Sequence, residues 1–411
     1  VVQKAVIIGA SHAGSQLALS LRQGGWSGPI QLIGNEGHLP YHRPPLSKDF
    51  LSGDKQAQDL LIRPRALYEK NNVEVLLKSE VLHIDCQQKL LTLNNHGQEQ
   101  IIPYDKLALC TGARVRELDI PGIKLPGVYY LRNLADVEAI RASLPAQGAG
   151  TIIGGGYIGL ETAAMLRQMG HDITVLEVAP QLLGRVAAKE IGEFYQALHQ
   201  HHGVDIQLGV QIQSIPGRDR VENLELADGI KLKANFVIVG IGVLPNQELA
   251  QTAGLEVNNG ILVNEFAQTS DPNIVAAGDC TRFQHPLYGE VRLESVPNAT
   301  EQAKVAAATL NGKALSHHGL PWFWSDQYDC KLQIAGLSQG YDEVVLRGST
   351  KITTNQIPSF CVFYFKAGKL IAADCVNRPK EFMLSKMWLQ KAHTPDKIKL
   401  VDDGYVLGRE D

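Results

Sequence analysis

Thr151-Ile152-Ile153-Gly154-Gly155-Gly156-Tyr157-Ile158-Gly159-Leu160-Glu161 decides the fold of this 411-residue chain. Apolar residues end a buried strand, Gly154, Gly156 and Gly159 supply G-x-G-x-x-G, and a helical pattern runs on to Met169. Each glycine has a steric task. The first permits a tight turn, the second lets a pyrophosphate approach the backbone, and the third lets helix and strand pack closely. The helix N-terminus then faces the phosphates. A second strand pattern, 173–176, ends in Glu177, 23 residues after Gly154 (177 minus 154). A carboxylate there accepts hydrogen bonds from both adenosine ribose hydroxyls and repels a 2′-phosphate, which favours NADH over NADPH.

Working outward, a second copy lies 145 residues upstream (154 minus 9). A strand pattern over 4–8 enters Gly9-Ala10-Ser11-His12-Ala13-Gly14, with Ser11 where the middle glycine would stand. Serine is small, and its N–H and hydroxyl both donate to phosphate. The next strand runs into Gly34-Asn35-Glu36, which puts the acid two residues later than Glu177 falls after its own strand. Taken alone, this copy reads equally as a cofactor site and as an ordinary strand–turn–helix. Cys110-Thr111-Gly112 and the run 236–242, ending in Gly242, are strand ends with small-residue turns suited to a crossing beside a ligand. In Ile274-Val275-Ala276-Ala277-Gly278-Asp279 an apolar strand delivers an acid, with a helix expected over 299–310. Asp279 is placed either to bond a polyol or to cap a turn.

These segments resemble a known family, the NADH-dependent ferredoxin reductases of oxygenase systems within the glutathione-reductase superfamily of flavoproteins. The resemblance covers nearly the whole chain. It is carried by Pro40-Tyr41-His42-Arg43-Pro44-Pro45-Leu46-Ser47-Lys48, Cys110-Thr111-Gly112, Gly154 to Glu161, Gly240 to Asn246, Ala277-Gly278-Asp279, Glu294 to Ala299 and Pro321-Trp322-Phe323-Trp324-Ser325-Asp326-Gln327. It implies FAD in the first cradle and NADH in the second. It also implies a one-electron carrier as final acceptor, a [2Fe–2S] ferredoxin or a rubredoxin. The FAD contacts it implies are Gly9, Ser11, His12, Ala13, Gly14, Asn35, Glu36, Arg43, Lys48, Thr111, Gly112, Asp279, Val296 and Trp324. Those for NADH are Gly154, Gly156, Tyr157, Ile158, Gly159, Glu177 and Gly242. Lys48 and Glu161 are the implied catalytic pair, meeting near flavin N5, where a cation favours the anionic reduced ring. Trp324 is expected against the isoalloxazine, and Tyr157 either gates that ring or simply packs.

Composition sets limits. The chain is 44% hydrophobic and 20% charged, with formal net charge −4, which argues against nucleic acid as a partner. It has no unbroken apolar run of about eighteen residues, and Val1-Val2-Gln3-Lys4 enters a strand directly, so a cytoplasmic protein without membrane association is expected. The six cysteines are scattered with no C-x-x-C, so no dithiol relay and no metal knuckle is expected. Two alternatives stay open: an NADH oxidase-type flavoenzyme, and an NADH-sensing flavoprotein resembling apoptosis-inducing factor.

The expected fold class is α/β, two Rossmann-like dinucleotide-binding domains of three-layer ββα type plus a C-terminal α+β domain. Residues 1–112 and 241–318 form the FAD-binding domain, 113–240 the NAD-binding domain, and 319–411 the remainder. Within that remainder, alternation over 331–335, 342–347, 359–365 and 369–376 predicts a small antiparallel sheet, with a helix near 381–391. Residues 312–320, including His317-His318, read as a surface connector. Between 376 and 399 six basic residues, Arg378, Lys380, Lys386, Lys391, Lys397 and Lys399, face two acids, Glu381 and Asp396. That run is either a steering patch for an acidic carrier or a solvated helix face.

Overall fold

The computed structural model describes residues 2–353 and 358–411; Val1, which opens the N-terminal run, lies outside the described residues. The chain divides into two compact units. The first comprises Val1–Arg43, Ala57–Arg114 and Val243–Pro321, and the second Pro44–Gln56, Val115–Gly242 and Trp322–Asp411.

In the first unit, a five-stranded sheet runs in the order Ile274–Ala276, Lys106–Leu109, Ala5–Ile8, Ile30–Ile33, Val73–Leu76. Every neighbouring pair is parallel. The central strand Ala-Val-Ile-Ile is buried on both faces, which is why it reads as a continuous apolar run and not as an alternation. Helices His12–Gln23 and Val296–Leu310 cover one face through Leu17, Leu21, Ala303 and Ala306. The unit also holds a three-stranded antiparallel meander, Ser79–Asp85, Leu90–Asn95 and Gln98–Pro103, and a second small sheet of Ile261–Val263, Thr281–His285 and Gly289–Val291.

The second unit repeats the plan. Its parallel sheet runs Asp205–Leu208, Asp172–Glu177, Ala149–Ile153, Phe236–Val239, Val128–Tyr130. Again the strand that feeds the glycine turn is central, flanked by the strand that follows it and by one from much later in the chain. That arrangement creates a switch point at the carboxyl end, where open α/β sheets bind their ligands. One sheet face packs Ile153, Val237 and Val239 against Leu224 and Leu226 of a second three-stranded meander.

The expected C-terminal sheet is present with five strands, in the order Trp322–Gln327, Cys330–Gly336, Lys369–Val376, Ser359–Lys366, Glu343–Ser349, all antiparallel. Helix Pro379–Gln390 follows, placing Trp388 in full burial. The fold class read from the sequence is the one observed.

The expected surface connector 312–320 is irregular and exposed at 312–315, but His317 departs from that reading. His317 is buried and its Nε2 lies 3.1 Å from Asn298 Oδ1, while its ring packs on Phe283 at 5.0 Å. Burial pushes this imidazole down to about 4, so it serves as a neutral core residue. His318 is the exposed member of the pair.

Candidate functional site

The second cradle shows why its glycines are required. Gly154 has φ +112°, and a Cβ there would meet Gly240 O at 2.4 Å. At Gly159 a Cβ would lie 2.2 Å from Gly154 O, so only glycine lets the helix sit this close to the strand. Gly156 faces open space, with nothing within 4 Å of an added Cβ. The helix Tyr157–Gln168 begins there with no side-chain cap and no acid in its first turn. Its leading N–H groups are therefore disposed toward an anion.

Glu177 ends the adjacent strand. Its Oε2 accepts from Gly155 N at 2.6 Å and its Oε1 from Ala179 N at 2.8 Å. Both oxygens are anchored by backbone, and each keeps a lone pair for a hydroxyl donor. Ile158 is exposed, whereas Tyr157 buries its hydroxyl and sets its ring edge-on to Phe323 at 5.0 Å. Burial holds that phenol well above its ordinary range. Gly242, at φ +101°, turns the chain at the second unit's boundary.

The first cradle uses the same device. A Cβ on Gly9, at φ +112°, would meet Cys110 O at 2.0 Å, and one on Gly14 would meet Gly9 O at 1.9 Å. Ser11 is the N-cap of helix His12–Gln23 but makes no side-chain cap; instead its Oγ accepts from Arg43 Nε at 3.2 Å. Arg43 also donates to Glu36 Oε1 at 2.6 Å, and Tyr41 donates to Glu36 Oε2 at 2.5 Å. Burial works against the Arg43 charge, yet Tyr41, Glu36 and Asp279 together leave it more basic than usual. Ser11, Glu36, Arg43 and Asp279 thus belong to one electrostatic neighbourhood, while Asn35 is exposed beside it.

Gly278 explains how Asp279 reaches that place. At φ +91° its added Cβ would lie 3.2 Å from Ala13 Cβ and 3.7 Å from Ala299 Cβ, so the strand end passes between two helix starts. Helix Val296–Leu310 is capped by Ser295, carries proline in its first turn and has no acid there. Thr111 is held by a reciprocal pair: its Oγ1 donates to Asn246 O at 2.6 Å, and Asn246 Nδ2 donates to Thr111 O at 2.8 Å. Gly112 follows at φ +65°. Two cradles with bare helix N-termini and carboxylates close by fit dinucleotides.

Within the second unit, Lys48 and Glu161 meet. Lys48 Nζ lies 2.5 Å from Glu161 Oε2, with the glutamate only 4% exposed. Ser47 Oγ donates to the same oxygen at 2.7 Å, and Ser325 Oγ donates to Oε1 at 2.7 Å. A buried carboxylate needs such multiple donors to offset its desolvation. Glu161 falls in the second turn of the helix Tyr157–Gln168. Ser47 and Ser325 escaped the sequence reading as functional positions; the available signal was strand alternation, which puts Phe323, Ser325 and Gln327 on the face opposite Trp322 and Trp324.

Trp322 and Trp324 sit with ring centroids 5.8 Å apart, and Lys386 Nζ lies 4.4 Å from the Trp322 ring. Three of the six basic residues of the run 376–399 form ion pairs, mostly with acids outside the run. Lys397 pairs with Glu343, Lys399 with Asp411, and Arg378 with Glu381 and Asp403.

A family model described as pyridine nucleotide-disulphide oxidoreductase matches residues 3–303, and a reductase C-terminal model matches 322–409. The chain belongs to the pyridine nucleotide-disulphide oxidoreductase family. Among family members, putidaredoxin reductase of Pseudomonas putida is 43% identical over 93% of this chain and 90% of its own length. A rubredoxin-NAD(+) reductase of the same organism is 37% identical over 91% of this chain and 96% of its own. The reductase in a crystal structure of the covalent putidaredoxin reductase–putidaredoxin complex superposes with a TM-score of 0.93 at 41% identity, covering 98% of this chain and 96% of that one. Despite the family's title, all six cysteines here are free, five are buried, and none lies in the loop that carries Lys48.

Proposed function

We propose that this oxidoreductase is an NADH-dependent ferredoxin reductase, passing electrons from NADH through FAD to a [2Fe–2S] ferredoxin or a rubredoxin of a monooxygenase or dioxygenase system. The observation that carries the reading is a pair of dinucleotide cradles in a chain whose early loop offers Lys48, paired with the buried Glu161, instead of a thiol. Bound FAD supplies the conversion of a two-electron donor to one-electron steps, which no side chain provides.

The chain's own contribution is placement and charge. Gly9, Ser11, His12, Ala13 and Gly14 hold the FAD pyrophosphate at a helix start. Asn35, Glu36 and Arg43 serve the adenosine side; Thr111, Gly112, Asp279, Val296 and Trp324 serve the remainder. Gly154, Gly156, Tyr157, Ile158, Gly159 and Gly242 hold NADH, and Glu177 takes its ribose hydroxyls and repels a 2′-phosphate. Lys48 brings a fixed positive charge to the reducible ring, and Glu161 keeps the ammonium in place. We assign 1–112 and 241–318 to FAD, 113–240 to NAD and 319–411 to the C-terminal domain. A cytoplasmic location is part of the same reading, supported by six unpaired cysteines. Among the described residues no helix is long and apolar enough to cross a membrane.

The test is cytochrome c reduction by purified protein with NADH or NADPH and a panel of [2Fe–2S] ferredoxins and rubredoxins. Carrier-dependent turnover with NADH is expected. Preference for NADPH, or NADH consumption at the same rate without any carrier, overturns the assignment.

A further inference from the structure

Glu161 Oε1 is the end of a chain of side-chain hydrogen bonds that leads out of the interior. Ser325 Oγ lies 2.7 Å from Glu161 Oε1, Gln327 Nε2 lies 3.2 Å from Ser325 Oγ, and His199 Nε2 lies 2.8 Å from Gln327 Oε1. His199 Nδ1 then meets Tyr328 Oη at 3.4 Å, and the Tyr328 ring is stacked on exposed His202 at 3.7 Å and 7°. Ser325, Gln327 and His199 are at most 1% exposed, so bulk solvent does not reach them.

One end fixes the polarity of the whole chain. An ionised carboxylate only accepts, so Ser325 must spend its one proton on Glu161. Its lone pair then faces Gln327, which must present the amide NH₂. The Gln327 carbonyl is left to face His199, so that ring carries its proton on Nε2, and its Nδ1 lone pair takes the Tyr328 hydroxyl. Reversing any link would set two acceptors together with no proton between them, which is costly in a buried place. Burial lowers His199 to about 4, which keeps a single ring proton at neutral pH.

We propose that Ser325, Gln327 and His199 are positioning residues whose aligned hydrogen bonds fix the orientation of Glu161 and, through it, the place of the Lys48 ammonium. The proposal rests on the role given above to the Lys48–Glu161 pair. It also explains why Oε1, which Lys48 does not contact, is not wasted: one oxygen holds the cation and the other is held by the protein.

The test uses FAD-loaded protein and two readouts. The first is pulse labelling of Lys48 with an amine-specific acylating reagent, quantified by peptide mass spectrometry against exposed Lys380. The second is the stopped-flow rate of flavin bleaching by NADH. Ser325→Ala removes the donor to Oε1, and Ser325→Thr restores it. Gln327→Glu preserves shape but sets a second carboxylate against the one proton of Ser325, so a packing role and a polarity role give opposite expectations for it. We expect Lys48 labelling to rise about tenfold in Ser325→Ala and in Gln327→Glu, bleaching to slow in both, and Ser325→Thr to behave as wild type. Unchanged Lys48 labelling in Gln327→Glu and Ser325→Ala overturns the positioning chain. Faster labelling with unchanged bleaching upholds the chain and overturns the role of the pair in hydride transfer. Should Ser325→Ala fail to fold, Gln327→Glu against wild type decides by the same readout.

Discussion

Asp374 offers a sharp test of how the second unit is held together. It is 1% exposed on the strand Lys369–Val376 and accepts a hydrogen bond from Tyr364 at 2.5 Å. Burial raises its carboxyl from 3.8 to about 7, against the lowering effect of the Tyr364 bond. Below pH 3.8 the carboxyl is protonated in folded and unfolded chains alike and costs nothing. As pH rises from there to about 7, the unfolded chain releases the proton while the folded one retains it, so stability falls. At about 1.4 kcal/mol per pH unit, the loss is about 1.6 kcal/mol at pH 5 and reaches a plateau of about 4 kcal/mol above pH 7. Asp374→Asn keeps an acceptor for Tyr364 and abolishes the titration. The new amide N–H₂ costs about 1 kcal/mol where it finds no partner, but equally at every pH. The variant should therefore gain about 3 kcal/mol on wild type between pH 5 and pH 8. Urea unfolding followed by tryptophan fluorescence measures this, since Trp322, Trp324 and Trp388 all lie in this unit. A change in that difference of less than about 1 kcal/mol would refute the reasoning, because it would mean Asp374 is ionised in the folded protein throughout.

Three further outcomes follow from the geometry. Glu177→Ala removes the carboxylate anchored by Gly155 and Ala179, so the KM for NADH should rise about tenfold and discrimination against NADPH should shrink, as steady-state kinetics with both nucleotides will report. Gly159→Ala places a Cβ 2.2 Å from Gly154 O, so NADH binding by calorimetry should be lost while the protein remains yellow; retained NADH affinity would contradict the close helix–strand packing. Arg347 is 3% exposed and donates to the carbonyls of Leu400, Asp402 and Tyr405. Replacing it with methionine leaves those acceptors unpaired, and should cost about 3 kcal/mol and speed proteolysis within 396–411 before any other segment.

Much of the architecture was legible because it depends on local patterns. The two cradles announce themselves through steric demands that only glycine meets, and their central strands through apolar runs that only a parallel sheet covered on both faces tolerates. The C-terminal sheet was expected from alternation with period two, although its strand Ser359–Lys366 is buried on both faces from Phe360 to Phe365. Glu177 and Asp279 drew notice in the sequence by position alone: the first closes the strand after the glycine turn, and the second follows an apolar strand and Gly278.

What escaped the sequence reading depends on partners distant in the chain. Lys397 and Glu343 are 54 residues apart, and Arg378 and Asp403 are 25 apart, so a count of charges over 376–399 could not register these ion pairs, which tie up part of the basic run and leave the choice between steering patch and solvated face open. His317 was placed on the surface by its polar, glycine-flanked surroundings, yet a neutral imidazole that finds Asn298 for a partner is as buriable as an amide. The hydrogen-bonded chain behind Glu161 is the extreme case. Its members come from a helix, a strand and the turn after that strand, and each taken singly is an ordinary polar residue. Only the carboxylate at its end gives the others a direction. That dependence explains why Gln327→Glu, a change of one amide nitrogen to oxygen, is expected to disturb Lys48 as much as deleting the hydroxyl of Ser325. Shape is preserved in the first change and lost in the second, while the proton count is wrong in both.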